Sequence, residues 1–600
     1  MFVSDQPPTD SRLARARAGG PRLAPAGRPP GTPVPGDAGG LRLPPVLALT
    51  GALVAIWLLW SPRSPDLAAQ VYRVALFARD GFSVWDNAWY GGHYLPDYSL
   101  AFPPLAALIG TRVLGAISVL VSALVFERQA EIRFGARARP AALVFAVGAA
   151  GDLYIGRLTF ALGVTFGLAA VLAAARSRRW TTAVLSLGCA AASPVAALFL
   201  LLLATADLLA TRSVRRAAVL GLPALALAGG MAVLFPEGGT QTFSGPSVIA
   251  AFGVPLLMLW VLPTRERLLR WGVALYLGAV LASYALATPM GSNVVRLGVL
   301  LAPPILVGAV GAEDMRIALA RLAAVRSRAR GWRPRPGTAA TDHADRRIGR
   351  APARLALVCV ALVLIAWQVN GPLAQSLEGV GDPSLQTSYY APVSAFLAGQ
   401  APGGPMRIEV PFTRSHWDAV VLGRRFELAR GWERQLDTKY DAVFYAPRLT
   451  PTAYRGWLED TGVRFVALPD AALDDSSRQE AALIRAGQPY LREVFASAHW
   501  RVYRVLHPTP LATGPGRLAS IDVDGFGLRV DHPGDFVVRV RYTRYWTLVT
   551  GTGCIGPTPD GWTAIRATAP GALRVDALFS LRRAIGADPS CPTGGAPSRR

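Results

Sequence analysis

The chain is short of charge, of lysine and of cysteine. Only 17% of its 600 residues are Asp, Glu, Lys or Arg, against about 25% in soluble domains. With 52% hydrophobic residues, so little charge excludes an ordinary soluble enzyme, and the apolar content excludes disorder of the whole chain. Lysine occurs once, at Lys439, so the net charge of +23 is an excess of arginine. Abundant Ala, Gly and Pro beside it point to base-composition bias more than to selection for arginine chemistry. The 4 cysteines and 6 histidines show no zinc-ligand spacing, and His343, His499, His507 and His532 receive no role. No P-loop and no G-x-S-x-G elbow is present, so any group transfer draws on a pre-activated donor.

What is present is a series of apolar runs: 43–60, 102–126, 140–155, 158–175, 180–192, 194–211, 217–235, 247–263, 271–288, 297–311 and 354–370. Read as spans, they make eleven. Those at 140–155, 180–192 and 297–311 fall short of the ~20 residues of a standard span. The first run lacks a small-residue cleavage site, and Trp57 and Trp60 resemble an interfacial belt, so it reads as a span and not a signal peptide. Residues 1–42, rich in Pro, Gly and Arg, read as a disordered cytoplasmic tail.

Arginine placement tests the spans. With the N-terminus in the cytoplasm, segments 1–42, 127–139, 176–179, 212–216, 264–270 and 312–354 hold thirty arginines. The opposite side before residue 371 holds five: Arg63, Arg73, Arg79, Arg157 and Arg296. Arg112, inside the second run, enters neither count. This positive-inside pattern predicts a multi-pass plasma-membrane protein and explains the basic balance without nucleic acid. The Arg-rich loop 312–353 has two readings, an orientation signal with linker or a contact with anionic lipid.

Eleven spans place residues 371–600 outside the cell. Segment 371–510 reads as an α/β domain, with strands at 406–411, 463–468 and 498–505 and a helix at 451–460. Segment 511–585 alternates in short runs such as FVVRVRY (536–542) and reads as a β-sandwich, followed by a tail at 586–600. Cys554 and Cys591 both fall in this oxidising compartment and are expected to form a disulfide, while Cys189 and Cys359 sit in apolar runs as packing residues. The cluster of His416, Trp417, Trp432, Glu433, Arg434 and Asp437 suits either sugar binding or an interface with the membrane region.

The first outer loop, 61–101, concentrates polar chemistry. A helix is expected over 67–79, capped by Asp66 or Ser64, then an Asp80–Gly81 turn and the aromatic stretch WDNAWYGGHY containing Asp86, His93 and Tyr94. Two further sites carry ionisable groups at membrane level, where they need a partner or a cavity. Asp152 and Arg157 lie at the junction of two runs, either paired with each other or offering a carboxylate and a phosphate-binding cation. Arg296 follows a break at Gly291–Asn293 and either contacts a lipid phosphate or snorkels. Glu237 reads as solvated on a loop, and His93 as packing among its aromatic neighbours or as a hydrogen-bonding group.

A carboxylate just after the first span, a loop helix along the membrane and the W-D-x-x-W-Y-G-G-H…P-P stretch resemble the GT-C membrane glycosyltransferases. The likeness is nearest to the YfhO-like or 6-pyruvoyl-tetrahydropterin synthase-related bacterial integral membrane proteins. It implies a GT-C-like helical membrane domain over 43–370, with the outer α/β and β-sandwich domains attached. It further implies transfer of a sugar from a polyprenyl-phosphate donor to an envelope glycan or lipid. By the likeness Asp66 is the catalytic base. In the functional reading of the other residues, Asp152 is a second carboxylate, and Asp86, His93, Tyr94, Arg157 and Arg296 are the candidates for binding substrate. The sequence departs from the family in carrying one Asp here and not an adjacent acidic pair, which leaves a divalent cation open. A non-catalytic glycan-binding protein or a flippase is the alternative. A transporter would place ionisable groups in mid-membrane and repeat itself; few such groups occur, Arg112 being the exception, and no internal repeat is evident.

Overall fold

The computed structural model describes residues 44–243, 245–329, 349–584, 586 and 591. The tail at 1–42, residues 330–348 of the Arg-rich loop and nearly all of 586–600 lie outside the described residues. Every apolar run is helical. The helices are α1 (Pro45–Trp60), α2 (Pro65–Asp80), α3 (Phe102–Ile109), α4 (Thr111–Phe134), α5 (Ala138–Ile155), α6 (Leu158–Ala175), α7 (Arg179–Ala192), α8 (Pro194–Thr211), α9 (Val214–Leu234), α10 (Gly245–Val261), α11 (Arg267–Ala285), α12 (Val295–Ala309), α13 (Ala312–Ala329) and α14 (Arg350–Glu378). Proline opens α1, α2, α3 and α8, where a missing N–H costs nothing. Glycine stands just past the ends of α2, α3 and α5, where a helix must turn out of its own path.

Seven helices, or up to eight if the bent α1–α2 pair counts as one span, are long and apolar enough to cross a membrane. The chain is therefore a polytopic α-helical membrane protein with a C-terminal region rich in β-sheet. One of the seven, Thr111–Ile155, is 45 residues long and doubles back at Gly135 (φ 55°). Its halves α4 and α5 pack face to face, with Phe126 stacked on Phe145 at 4.2 Å. Small residues permit the close approach of helices that lipid alone does not drive together. Ala141, Ala142 and Ala146 are fully buried, and a Cβ on Gly163 would meet Ala196 and Ser193.

The helix connections sort to two ends. At one end Arg133 pairs with Glu266, Arg265 forks onto Asp314 at 2.7 and 2.9 Å, and Arg216 meets Asp207 at 3.1 Å. Loop 312–353, read as an orientation signal with linker or as a lipid contact, opens with helix α13, held to the α10–α11 loop by that Arg265–Asp314 fork. At the other end the α5–α6 and α7–α8 turns meet the first loop, through Gln70 to Gly156 and Ser99 to Ala192. There the end of α9 meets the C-terminal region through Tyr545, which donates to Leu234 O at 2.7 Å.

The C-terminal region holds a five-stranded sheet in the order β4-β3-β5-β7-β6, formed by β3 (Arg407–Glu409), β4 (Glu427–Leu428), β5 (Val463–Pro469), β6 (Leu491–Ala496) and β7 (Trp500–Val505). β3 runs parallel to β4 and β5, whereas β7 is antiparallel to β5 and β6. The helix Pro451–Thr461 buries Tyr454, Trp457 and Leu458 against it. Two four-stranded antiparallel sheets follow within 512–577 and enclose Phe526, Leu528, Phe536, Val538, Ile565 and Val575. A disulfide joins Cys554 to Cys591.

The first loop links the membrane and C-terminal regions. After α1 the chain bends by 76° into α2, then forms a hairpin of β1 (Trp85–Asp86) and β2 (His93–Tyr94). Leu428 N donates to Ala88 O at 2.8 Å, Asn87 N to Val523 O at 2.7 Å, and Arg541 N to Gly91 O at 2.7 Å. The hairpin thus touches both the five-stranded sheet region and the sandwich.

Candidate functional site

The site is built where α2 begins. Ser64 occupies the N-cap position, but its side chain makes no capping bond, so neither expected cap operates through its side chain. Asp66 lies in the first turn, and its Oδ2 accepts from Arg157 Nε at 3.1 Å. Gln70, one turn on, donates to Asp66 O at 3.0 Å and to Gly156 O, while its Oε1 accepts from Thr159 N at 3.1 Å. That side chain clasps α2 to the α5–α6 turn. Gly156 makes the fit possible: its φ is 87°, and a Cβ there would lie 2.6 Å from Leu67 N. From above, Trp432 Nε1 donates to Pro65 O at 2.8 Å, so the C-terminal region covers the start of α2.

Arg157 does not pair with Asp152, contrary to one of the two expected readings. The left-handed Gly156 turn sends its side chain to Asp66, and among the described residues no Arg157–Asp152 ion pair forms. Asp152, on the last turn of α5, is buried and lies within electrostatic reach of Arg157, Arg296 and Asp66. Arg296, at the start of α12, donates to Asn293 Oδ1 at 2.6 Å, and its Nε is buried without a partner among the described residues. Asp66, Arg157, Asp152 and Tyr98 all act electrostatically on it. Two carboxylates and two guanidiniums, from α2, α5, α12 and the α5–α6 turn, therefore converge. The Asp66 and Arg157 side chains are 33% and 23% exposed, open enough for a ligand to reach.

Below Arg296 lies an apolar cavity of about 170 Å³ between α6, α8, α10, α11 and α12. Phe160, Phe199, Met258, Tyr276, Leu297 and Leu301 are among its walls. Arg296 stands at its edge, next to Leu297 in the chain and 5.7 Å from the Phe160 ring. A cation poised at the end of an apolar cleft can take an amphiphile, acid group at the arginine and hydrocarbon below. The described residues contain no group of three His, Cys, Asp or Glu able to hold a metal ion.

Asp86, His93 and Tyr94 lie away from this ring, inside the loop hairpin, at 0%, 0% and 8% exposure. Asp86 accepts from Tyr72 Oη at 2.9 Å and from Ala88 N at 3.0 Å, and burial pushes its carboxyl up to about 6. His93 stacks on Trp89 at 5.7 Å. Its Nδ1 stands 4.0 Å from Asp86 Oδ2, too far for a hydrogen bond. Burial, then the Arg73 charge, lowers it to about 3, so it is neutral at physiological pH. Tyr94 Oη bonds Thr543 Oγ1 at 2.9 Å. In this structure the three residues build the joint between loop and C-terminal region.

Glu237, read as solvated, is 5% exposed. It accepts from Tyr94 N, and burial together with Glu433 pushes it up to about 8. The aromatic cluster resolves as interface: His416 stacks on Trp432 at 3.3 Å and faces Asp474 at 3.4 Å, while Arg63 lies 4.9 Å over Trp417.

Other side chains at the site were not apparent from the sequence. Arg73 is buried on α2, pairs with Glu433 and lies 4.0 Å over the Tyr98 ring. Asp97 is pushed up to about 6 by burial and by Glu433. Gln70 had a local signal, since it stands four residues after Asp66 on one helix face. Glu433 was singled out in the aromatic cluster, but its pairing with Arg73, 360 residues away, had no local signal.

No family model and no curated protein matches the sequence.

Proposed function

We propose that this chain is a GT-C-like membrane glycosyltransferase that uses a polyprenyl-phosphate sugar and modifies an envelope glycan or lipid on the outer face. The observation that carries the reading is the Asp66–Arg157 pair standing beside Arg296 at the end of the apolar cavity. The donor hydrocarbon fits the cavity, and its phosphate meets Arg296, whose Nε is unpartnered among the described residues. The same phosphate draws Arg157 from Asp66, leaving that carboxylate free to act. An acceptor hydroxyl then attacks the anomeric carbon, the bond from that carbon to the phosphate oxygen breaks, and the hydroxyl proton passes to Asp66. Polyprenyl phosphate departs with the bonding electron pair beside two arginines.

Eleven spans with the N-terminus inside accord with the two-ended arrangement of the connections. The Arg133, Arg265 and Arg216 ion pairs lie at one end, and the C-terminal region covers the other. The likeness of the first loop to the GT-C group points the same way, as does α2 bending 76° away from α1.

The test is transfer from radiolabelled polyprenyl-phosphate sugars to an envelope-glycan extract by purified protein. Wild type is expected to transfer, and Asp66→Asn to lose about a hundredfold or more in kcat. Arg296→Gln is expected to raise KM for the donor. Full activity in Asp66→Asn removes this residue as the base. No transfer with any donor favours the glycan-binding or flippase reading.

A further inference from the structure

The sandwich ends on an apolar patch beside the end of α9. Its last strand, Gly571–Ala577, runs into the segment LFSLRR (578–583). There Leu578, Phe579 and Leu581 are 50%, 46% and 66% exposed. Single bare apolar side chains are ordinary on a protein surface, but three within four residues form a patch that marks a contact. The segment is firmly held. Leu578 N donates to Tyr545 O at 3.0 Å, Arg544 Nη1 to Ala584 O at 2.6 Å, and Arg583 Nη1 to Trp546 O at 2.6 Å. The backbone is thus fastened to the sandwich while the three side chains stay outside it.

What covers the patch follows from where it stands. α9 has 21 residues, about 31 Å of helix, close to the ~30 Å hydrocarbon core of a bilayer. Leu222, Leu225 and Val233 lie exposed along it, the last of them in its final turn. The lipid-facing flank therefore runs to the end of the helix and places the hydrocarbon boundary there. Phe235, just past that end, touches the sandwich: its ring lies 5.8 Å from Phe579 and 5.6 Å from Tyr545. Phe579 is thus one ring contact from the level at which α9 leaves the hydrocarbon, within the about 5–10 Å over which interfacial segments insert.

The charges agree with that placement. Arg582 is exposed and makes no ion pair or hydrogen bond among the described residues. No acidic residue occurs between Asp576 and Asp588, and Asp576 is taken by Arg574 at 2.6 Å. A free guanidinium beside bare leucine and phenylalanine meets lipid phosphates with its cation and the acyl boundary with its apolar groups. Other covers fit less well. Residues 585–600 contain one large apolar side chain, Ile585, and Cys591 is tied back to Cys554. Three side chains also fall far short of the ~800 Å² that each partner buries in a stable protein–protein interface.

We propose that Leu578, Phe579 and Leu581 insert into the leaflet on the side of the C-terminal region, with Arg582 on the lipid phosphates, and so seat the sandwich on the membrane surface. This stands apart from the transferase reading. In the test, full-length protein carrying Cys359→Ala receives a nitroxide label through Leu581→Cys. The reference is Ala572→Cys, six residues before Leu578 and roughly 20 Å away along the strand. Cys189 is fully buried and the other two cysteines are bonded to each other, so neither takes the label. The protein is placed in nanodiscs of phosphatidylcholine and phosphatidylglycerol. Power-saturation EPR then compares collisions with oxygen, which concentrates in lipid, and with a water-soluble nickel chelate. The label at position 581 is expected to favour oxygen by about threefold or more over the label at 572. Arg582→Glu is expected to cut that preference by about half. Equal ratios at the two positions overturn the insertion, as does a label at 581 shielded from both reagents, which marks a protein cover. A ratio unmoved by Arg582→Glu overturns the phosphate contact.

Discussion

Replacing Arg430 with methionine should destabilise the C-terminal region more than any change at an exposed arginine. Its guanidinium is wholly buried, forks onto Asp437 at 2.9 and 2.8 Å, and donates to Ser477 and Ser476 at 3.1 Å each. Glu480 and Glu409 stand 3.4 and 3.8 Å away, and the rings of Phe412 and Phe444 each approach to 4.0 Å. Three carboxyl groups thus share one cation in an interior without water to spare. Burial, then Glu480, pushes Glu409 well above its ordinary range, and it is Asp437 that takes the guanidinium fork. Removing one partner of such a pair costs about 3–5 kcal/mol. For a unit of 150–250 residues that lowers Tm by roughly 6–20 °C. The control is Arg455→Met, which breaks the pair with Glu459 at 57% and 44% exposure and should cost only a few tenths of a kcal/mol. The assay is thermal unfolding of the full chain in detergent, followed by tryptophan fluorescence. Adding Asp437→Asn to Arg430→Met should recover part of the loss, a coupling of about 0.5–3 kcal/mol. Arg430→Met melting with Arg455→Met would refute the claim that this charge is balanced internally.

Three further outcomes follow from other parts of the structure. Gly156→Ala places a Cβ against Leu67 N at a φ of 87°; it should cost about 1–3 kcal/mol and separate Asp66 from Arg157, read as a loss of transfer in protein that still folds. Burial pushes Glu427 up to about 8, so its contribution to stability is full below the ordinary carboxylate value of ~4.3 and is lost as pH rises from there through about 8. Glu427→Gln should therefore flatten the fall in Tm between pH 5 and 8, and an unchanged slope would contradict the burial. Cys554→Ser, which opens a cross-link spanning 37 residues, should destabilise the sandwich by about 2–4 kcal/mol, measurable as earlier proteolysis of the C-terminal region.

Apolar period and turn chemistry made much of the architecture legible. The runs at 140–155, 180–192 and 297–311, too short to persuade as spans, are nonetheless helices α5, α7 and α12. The helix at 451–460 also follows from spacing alone, since Tyr454, Trp457 and Leu458 share a face. Strand β6 was missed because two consecutive charged residues, Arg492 and Glu493, interrupt the apolar alternation and none of its six residues is fully buried. Burial was the quantity hardest to read. Glu237, Asp86 and His93 belong to residue types that usually stay wet, and only contacts with residues 143 or more positions away put Glu237 inside. The Arg157 partner escaped for a different reason. Five residues separate it from Asp152, an inviting distance, yet one left-handed glycine rotates it toward Asp66. The network around Arg430 draws on residues 409, 437 and 480 and has no local pattern at all.

The first outer loop has a consequence for the order in which the molecule is made. Trp85 packs against Trp546 at 5.8 Å, Arg73 pairs with Glu433, and Asn87 bonds Val523 O. A ribosome that has just released residues 61–101 has yet to synthesise every one of those partners. Throughout translation of the remaining helices, Arg73, Asp86 and four tryptophan or tyrosine rings of the hairpin lack the partners that bury them in the finished fold. The loop therefore reaches its final packing only after the C-terminal region exists, and closing contacts over such sequence distances slows folding. A chain cut short before the sandwich would leave those aromatic rings without the surfaces that cover them, the kind of exposed apolar area that drives aggregation.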